Sequence, residues 1–465
     1  MSIDTLASVG LPDGFRGRAI HAADPEYDRA RAVYNGSIDR HPLLIVQPTG
    51  VADVRDAVAF ARRQQLPLAV RCGGHQVAGL GATEGGVLLD LSTLKGVRVD
   101  PATGTAHASA GTLWGEYDRD LEMLGLATPG GRVTTTGIGG FTLGGGYGWL
   151  STMYGLACDN LVGADVVTAS GKLLHVTDDT EPELMWALRG AGSNFGVVTS
   201  FEFRTHQLPP LVMAGLLVLP NDGPRSEEAA RAYRDFIETA PRELVTALAT
   251  VLAPPEDFVP PDLVGKPIFG VVVAWLGDSA DAEDAVAPLR RIMDGGVDLL
   301  QPTPYTALQS MLDGFAPKGW HNYHRGHHLT GLPDDVLDEY LASGRDIGSP
   351  MTQGIVFRNG GAIAEVSEEA TAVSNRSAPY MAHPIACWHD GSETEHEMEW
   401  VRRFSAAFEP AMTGGVYLNF EPGTDVADVR AGYGDSKAAR LAELKAEWDP
   451  DNVFRSNHNL ALIDR

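Results

Sequence analysis

From Thr49 onward the apolar positions fall at helical spacing, with Val54, Ala57, Val58 and Ala61 on one face. A short apolar run at Leu68–Val70 and another at Val87–Leu91 predict strands, and Val97 and Val99 alternate with polar neighbours as in a half-buried strand. Leu113, Tyr117, Leu121 and Leu124 mark a second helix face. Strands at Leu161–Thr168 and Lys172–Thr177 flank Ser170-Gly171, a hairpin signal. A short helix over Glu183–Leu188 then leads to a strand at Val197–Phe203. Leu208-Pro209-Pro210 is the candidate boundary. Beyond it longer apolar strands (Val212–Leu219, Ile268–Leu276) alternate with helices (Ser226–Thr239, Ala280–Ile292), which predicts a second, layered α+β domain. The last element, Ser436–Trp448, is an amphipathic helix stopped by Asp449-Pro450.

A chain of 465 residues exceeds one hydrophobic core, in keeping with two domains. The net charge of −25 argues against a nucleic-acid surface, which needs clustered Lys and Arg. Three cysteines, Cys72, Cys158 and Cys387, show no paired spacing, so neither a disulfide framework nor a zinc knuckle is expected and a reducing compartment fits. Met1–Ile20 has no signal-peptide pattern and no apolar run reaches spanning length; the expectation is a cytoplasmic protein without a membrane partner, as a monomer or homodimer. The 53 glycines, well above the usual share of about 7%, imply many special backbone positions.

Those glycines concentrate where chemistry is expected. Arg71-Cys72-Gly73-Gly74-His75-Gln76-Val77-Ala78-Gly79 follows a strand and puts one imidazole in a turn whose backbone N–H groups can crowd an anion. Gly137–Gly148 has glycine at seven of twelve positions. Two such loops suit the two ends of one long phosphorylated cofactor. Gly190-Ala191-Gly192 is not a dinucleotide fingerprint, because it follows a helix and precedes a strand, the reverse of the required order.

Read in order, RCGGHQVAG, GGRVTTTGIGGFTLGGGYGWLSTMYGLACDNL, ELMWALRGAGSNFGVVTSF, VYLNF and WDPDNVFRSNHNL resemble the berberine-bridge-enzyme-like flavin oxidoreductases of the vanillyl-alcohol-oxidase flavin fold (PCMH type). The resemblance covers nearly the whole chain. It implies an α+β fold with an FAD-binding domain over residues 1–210 (core 38–208), completed by 415–465. A substrate domain built on a large antiparallel sheet backed by helices lies between, at 211–414. By the same resemblance the cofactor is FAD, bonded to His75. The cysteine that forms a second bond in many relatives is replaced by Val133, which implies a single tether. Cofactor contacts are carried over to Arg71, Cys72, Gly73, Gly74, His75, Gln76, Gly79, Gly131, Thr135, Thr136, Gly137, Gly139, Gly140, Thr142, Gly145, Gly146, Tyr147, Asp159, Asn160, Val198, Tyr417, Asn419 and Asn457.

Thr136 stands where side-chain size governs oxygen access in the family, so a small residue there implies an oxidase. Relatives often take the substrate proton on the second tyrosine of Y-x-N-Y; here the run is Tyr417-Leu418-Asn419-Phe420, and phenylalanine cannot accept a proton. Some relatives use a glutamate on the strand matching Tyr380–Trp388, where Met381 aligns. His383 lies on the same strand face two residues on. An imidazole of near-neutral pKa suits a general base; a merely packed histidine is the plain alternative, and Tyr380, Tyr417 and Tyr147 compete for the role. Trp149, Tyr323, Arg325 and His327 are the expected substrate contacts.

In an extended strand His324 and His328 share one face, and His321, Tyr323, Arg325 and His327 the other. No carboxylate or cysteine joins them at ligand spacing, so no metal site is expected. The implied activity is an FAD-dependent oxidase that removes hydride from an alcohol, amine or activated C–H carbon of a small, secondary-metabolite-like substrate, with O2 reduced to H2O2. A dehydrogenase of the same fold with another acceptor, a metal-dependent hydrolase at His321–His328, and a flavin-loaded binding protein are the alternatives.

Overall fold

The computed structural model describes residues 11–463 except 13 and 258. The first part of the chain builds two small sheets. In one, Val87–Asp90 lies between Leu44–Gln47 and Leu68–Arg71, parallel to both, with Arg18–Ile20 antiparallel at the edge. The helix Val51–Gln64 connects two of these strands and buries Val54, Ala57, Val58 and Ala61 completely. It stops at Gln65, whose left-handed φ of 56° returns the chain towards the sheet. The other sheet is antiparallel and five-stranded, with Val197–Arg204 at its centre between Thr105–Ser109 and Leu161–Val167. The helix Trp114–Glu122 buries Tyr117 and Leu121, but Leu124 lies past its end and is exposed, so the predicted face is one turn too long. Within the glycine-rich stretch a short helix forms over Ile138–Leu143.

Val212–Pro220 opens a ten-stranded antiparallel sheet that Met412–Val416 closes. Its central strands read as continuous apolar runs because both faces are covered. Along Leu244–Leu252, Leu244 and Leu248 pack under a layer of helices, while Val245, Ala247 and Ala249 turn to the first domain. The helices Pro224–Ile237, Ala282–Ile292, Asp334–Arg345 and Thr394–Ala407 form that backing layer. On the opposite face Val212, Ala274, Ile355, Phe357 and Met381 meet Tyr147, Trp149, Leu150 and Leu156. The molecule is therefore an α+β protein whose large sheet turns one face towards the glycine-rich loops, and the seam between them is the candidate cleft.

The chain then returns. Leu418, Val429, Tyr433, Leu441, Phe454 and Leu460 enter the same apolar core as the first two sheets. Lys445 is buried and bonded to Asp449, to the Asn194 carbonyl and to the Phe454 carbonyl, which fastens the final helix, Asp435–Trp448, to the first domain.

Candidate active site

The two glycine-rich loops touch backbone to backbone. A Cβ on Gly73 would stand 2.4 Å from the Gly137 nitrogen, and one on Gly137 would stand 2.3 Å from the Gly73 nitrogen and 2.4 Å from Cys72 Sγ. No side chain fits either position, so the glycines permit the approach and Cys72 is occupied with packing. His75 emerges at this junction. Its ring stacks on Tyr34 (4.2 Å between centroids, 16° between planes), and Nε2 lies 2.9 Å from Thr135 Oγ1. Burial, then Lys318, lowers its pKa to about 4, so the imidazole is neutral at physiological pH.

Opposite, on the strand Tyr380–Trp388, His383 faces the cleft and stacks flat on Phe420, with centroids 3.6 Å apart and planes 3° apart. His324 meets His383 edge-on at 5.3 Å. Burial first, then His324, Arg132 and His327, hold His383 well below the ordinary histidine value, so the near-neutral pKa expected from sequence is not kept. Both its ring nitrogens are buried without a hydrogen-bond partner. Burial lowers His324 to about 3, with His75 as a smaller cause, which places His324 in the electrostatic reach of both other imidazoles.

Two tyrosines close the glycine-rich side. Tyr417 Oη accepts from the Gly146 N–H at 2.9 Å and from Asn419 Nδ2 at 2.8 Å; Asn419 also donates to the Phe141 carbonyl. Tyr147 stands edge-on to Tyr417 at 4.9 Å with its own hydroxyl unpartnered. Gly145 and Gly146, both at positive φ, carry the backbone around this pair. Thr136 lies beside Thr135, its backbone tied to Val133 and Trp114. Gly131 accepts from Gln309, and Gly140 faces open space.

Several sequence-level assignments are corrected. Tyr380 sits three residues from His383, and on a strand that odd offset turns it into the helix-backed core, away from the cleft. His321–His328 is not one strand: it breaks into His321–His324 and His327–Leu329, both paired to Tyr380–Trp388. Arg325 is paired with buried Glu421. His327 Nε2 bonds Ser405 on a backing helix and Tyr323 packs in the helix-side core, so these two expected substrate contacts face away from the cleft. His324 and His328 turn towards it instead, beside His383 and Tyr147. His321 bonds Ser37 and stacks on Trp388, so the imidazoles of this run do not converge on one metal-binding point.

The expected cofactor contacts also divide. Arg71 is spent on Asp90 and on the Ala30 and Ala32 carbonyls. Asp159 forms a two-bond pair with buried Arg376. Asn160 is satisfied by Tyr154, Leu156 and His206, Gln76 by Ala78, Leu418 and Glu421, and Val198 lies in the core. Gly79 packs against Ile38 and Gly74 against Arg71, while Gly139 lies near Phe201. The side chains of Arg71, Asp159, Asn160 and Gln76 are thus engaged by the protein itself. Trp149 is fully buried beneath Arg132, whose guanidinium carbon lies 5.1 Å from its ring.

Residues 42–177 match the family described as "FAD binding domain", and residues 416–461 the one described as "Berberine and berberine like". An FAD-linked oxidoreductase of Dictyostelium discoideum is 31% identical over 92% of this chain and 91% of its own. The chain belongs to the berberine-bridge-enzyme-like FAD-linked oxidoreductases. The (R)-6-hydroxynicotine oxidase of Paenarthrobacter nicotinovorans is 29% identical over 98% of both chains. The crystal structure of 6-hydroxy-D-nicotine oxidase from Arthrobacter nicotinovorans superposes with a TM-score of 0.84 at 26% identity, covering 97% of this chain and 99% of that one. BBE-like 1 of Physcomitrella patens shares the fold, with a TM-score of 0.86 at 23% identity over 100% and 99%.

The berberine-like pocket fits FAD on its own chemistry. The Gly73–Gly137 junction leaves backbone without side chains where a large ligand must lie close. Thr142 Oγ1, the Tyr147 hydroxyl, Asn457 Oδ1 and His458 Nε2 are buried polar atoms without a partner among the described residues. Asn457 otherwise holds the Ser193 and Phe454 carbonyls. Phe357 and Arg132, which sequence reasoning did not single out, stand in the cleft with His324 and His328, which it weighed only for a metal. Phe357 carried no signal in that reading. Arg132, beside Val133, had no pattern of its own; only the folded sheet shows what it faces.

Proposed function

We propose that the chain is an FAD-dependent oxidase, with the cofactor bonded to His75 as the one tether, that removes hydride from an alcohol, amine or activated C–H carbon of a small secondary-metabolite-like molecule and reduces O2 to H2O2. Bound FAD supplies hydride acceptance and the two-electron transfer to O2. The observation that carries the reading is the placement of His75 at the junction of the glycine loops. Nε2 is engaged by Thr135, no hydrogen bond among the described residues uses Nδ1, and the neutral ring is a competent nucleophile. Val133 in the cysteine position supports a single bond.

The protein's own part is to orient the substrate and take its proton. His383, neutral and with both nitrogens free, accepts the proton of the substrate's O–H, N–H or conjugated acidic group as the hydride leaves the reacting carbon. Phe420 fixes the ring plane by stacking. Tyr417 is held by two donors on its oxygen and braces the Gly146 backbone. The full-length relationship to an enzyme named for oxidising (R)-6-hydroxynicotine favours an oxidase over a dehydrogenase.

Two measurements test this. Acid-denatured holoprotein under ultraviolet light keeps fluorescence on the polypeptide, and His75→Ala loses it; flavin released freely from the wild type overturns the tether. After anaerobic reduction, admission of air restores the oxidised spectrum within the turnover time; sluggish reoxidation favours the dehydrogenase.

A further inference from the structure

The enclosed cations of this protein are almost all matched. Arg71 faces Asp90, Arg376 faces Asp159, Lys445 faces Asp449 and Lys437 faces Glu368. Arg358, without a carboxylate, donates to the carbonyls of Ala240, Pro241 and Leu244. Arg132 is different. Its guanidinium lies 4.0 Å over the Phe357 ring and 5.1 Å from that of Trp149, and Nη2 donates to the Gly148 carbonyl at 3.0 Å. Nε is buried with no acceptor, and no acidic side chain among the described residues pairs with the group.

Arg132 is half-buried, and a guanidinium held partly off water without a counter-charge is disfavoured; it has only donors, in a planar fork that matches a carboxylate. Phe357 belongs to the cleft face of the large sheet, and His383 feels the charge, so the unpaired fork stands in the cleft. Burial lowers its pKa to about 10, which leaves it charged at neutral pH.

We propose that Arg132 anchors a carboxylate of the substrate, carried on an apolar, ring-bearing body that lies against Phe357 and the His383–Phe420 pair. The inference deepens the oxidase reading, since it takes this cleft as the substrate site. It also explains an otherwise poor base. The charge of Arg132 is one of the causes that depress His383, and a bound carboxylate cancels it, so the imidazole gains basicity when the site is filled.

The test is equilibrium binding, which needs no turnover and is therefore separable from failure of the oxidase reading. Benzoate, phenylacetate and 1-naphthoate, with the three matching primary amides, are titrated calorimetrically into flavin-loaded protein. At least one carboxylate is expected to bind about tenfold or more tighter than its amide, the scale of a charge-assisted pair. Arg132→Gln removes that gap and leaves amide affinity unchanged; Arg132→Lys keeps part of it. A wild type in which no carboxylate outbinds its amide, or a gap that survives Arg132→Gln, overturns the proposal. Should Arg132→Gln fail to load flavin, the wild-type comparison and Arg132→Lys decide.

Discussion

His383 and Phe420 lie ring on ring, 3.6 Å apart and 3° from parallel, although they come from a sheet strand and from the segment that returns to the first domain. The aromatic ring at position 420 cannot accept a proton; what it does is hold flat the imidazole that can. The two substitutions read separately in the sequence, a tyrosine replaced by Phe420 and a histidine near Met381, are thus one structural unit.

Replacing that imidazole should cost chemistry and spare the cofactor. His383→Gln is expected to slow anaerobic flavin reduction by about 10²–10⁴-fold, the usual worth of a general base, with flavin content unchanged. Stopped-flow absorbance checks this. A rate within about threefold of wild type would remove His383 from the mechanism.

The depressed pKa of His383 sets a pH signature. A neutral base with a lowered pKa stays competent as pH falls through the ordinary histidine range. The acid limb of kcat/KM, which reports free enzyme, is therefore expected below that range. The limb of kcat, which reports the filled site, should lie higher because the substrate carboxylate offsets Arg132. In Arg132→Gln the limb of kcat/KM should itself move up, because a charge that depresses His383 is gone.

Much of this was legible before folding. Periodicity located the helix Val51–Gln64 and the long strands, since those segments bury one stripe or both faces. The loops around Gly73 and Gly137 stood out because only glycine allows their contact. Side-chain direction was the illegible part. Arg71, Gln76, Asp159 and Asn160 have the composition of a binding loop, yet each bonds protein groups, because long-range partners such as Asp90 and Arg376 lie far along the chain. The break at Arg325-Gly326 likewise arises from the Glu421 carboxylate, which takes the Gly326 N–H, and no local pattern announces it.

The loop junction predicts a stability and loading defect. Gly137→Ala places a methyl group 2.3 Å from the Gly73 nitrogen, and overpacking of this kind costs about 1–3 kcal/mol. The flavin-to-protein absorbance ratio and the urea midpoint should both fall. Gly140→Ala, inside the helix Ile138–Leu143 where a Cβ meets nothing, should hold or raise the midpoint.

Asp159 and Arg376 give a sharper contrast. Asp159→Leu leaves a buried guanidinium unpaired and should destabilise by about 3–5 kcal/mol in urea unfolding. The double variant Asp159→Leu, Arg376→Met should recover most of that loss. No recovery would mean that the Leu156 N–H bond to Asp159 is the larger contribution.

Acid should weaken the fold through its buried imidazoles. His328 and His458 are held at about 4 by burial, against 6.5 when exposed. Their contribution is whole above pH 6.5 and is lost as pH falls towards 4, by up to roughly 3 kcal/mol for each ring. Thermal midpoints recorded from pH 7.5 to 5 should fall, and His458→Gln should flatten the slope.

Tyr417, which steadies the Gly146 backbone, and Asn457, which reaches back to Ser193, lie 271 and 264 positions beyond the residues they hold. The cofactor pocket therefore has no complete wall until both distant segments have been made and have folded together. Holding flavin is a property of the whole chain, and the glycine loop that carries His75 does not build the pocket alone.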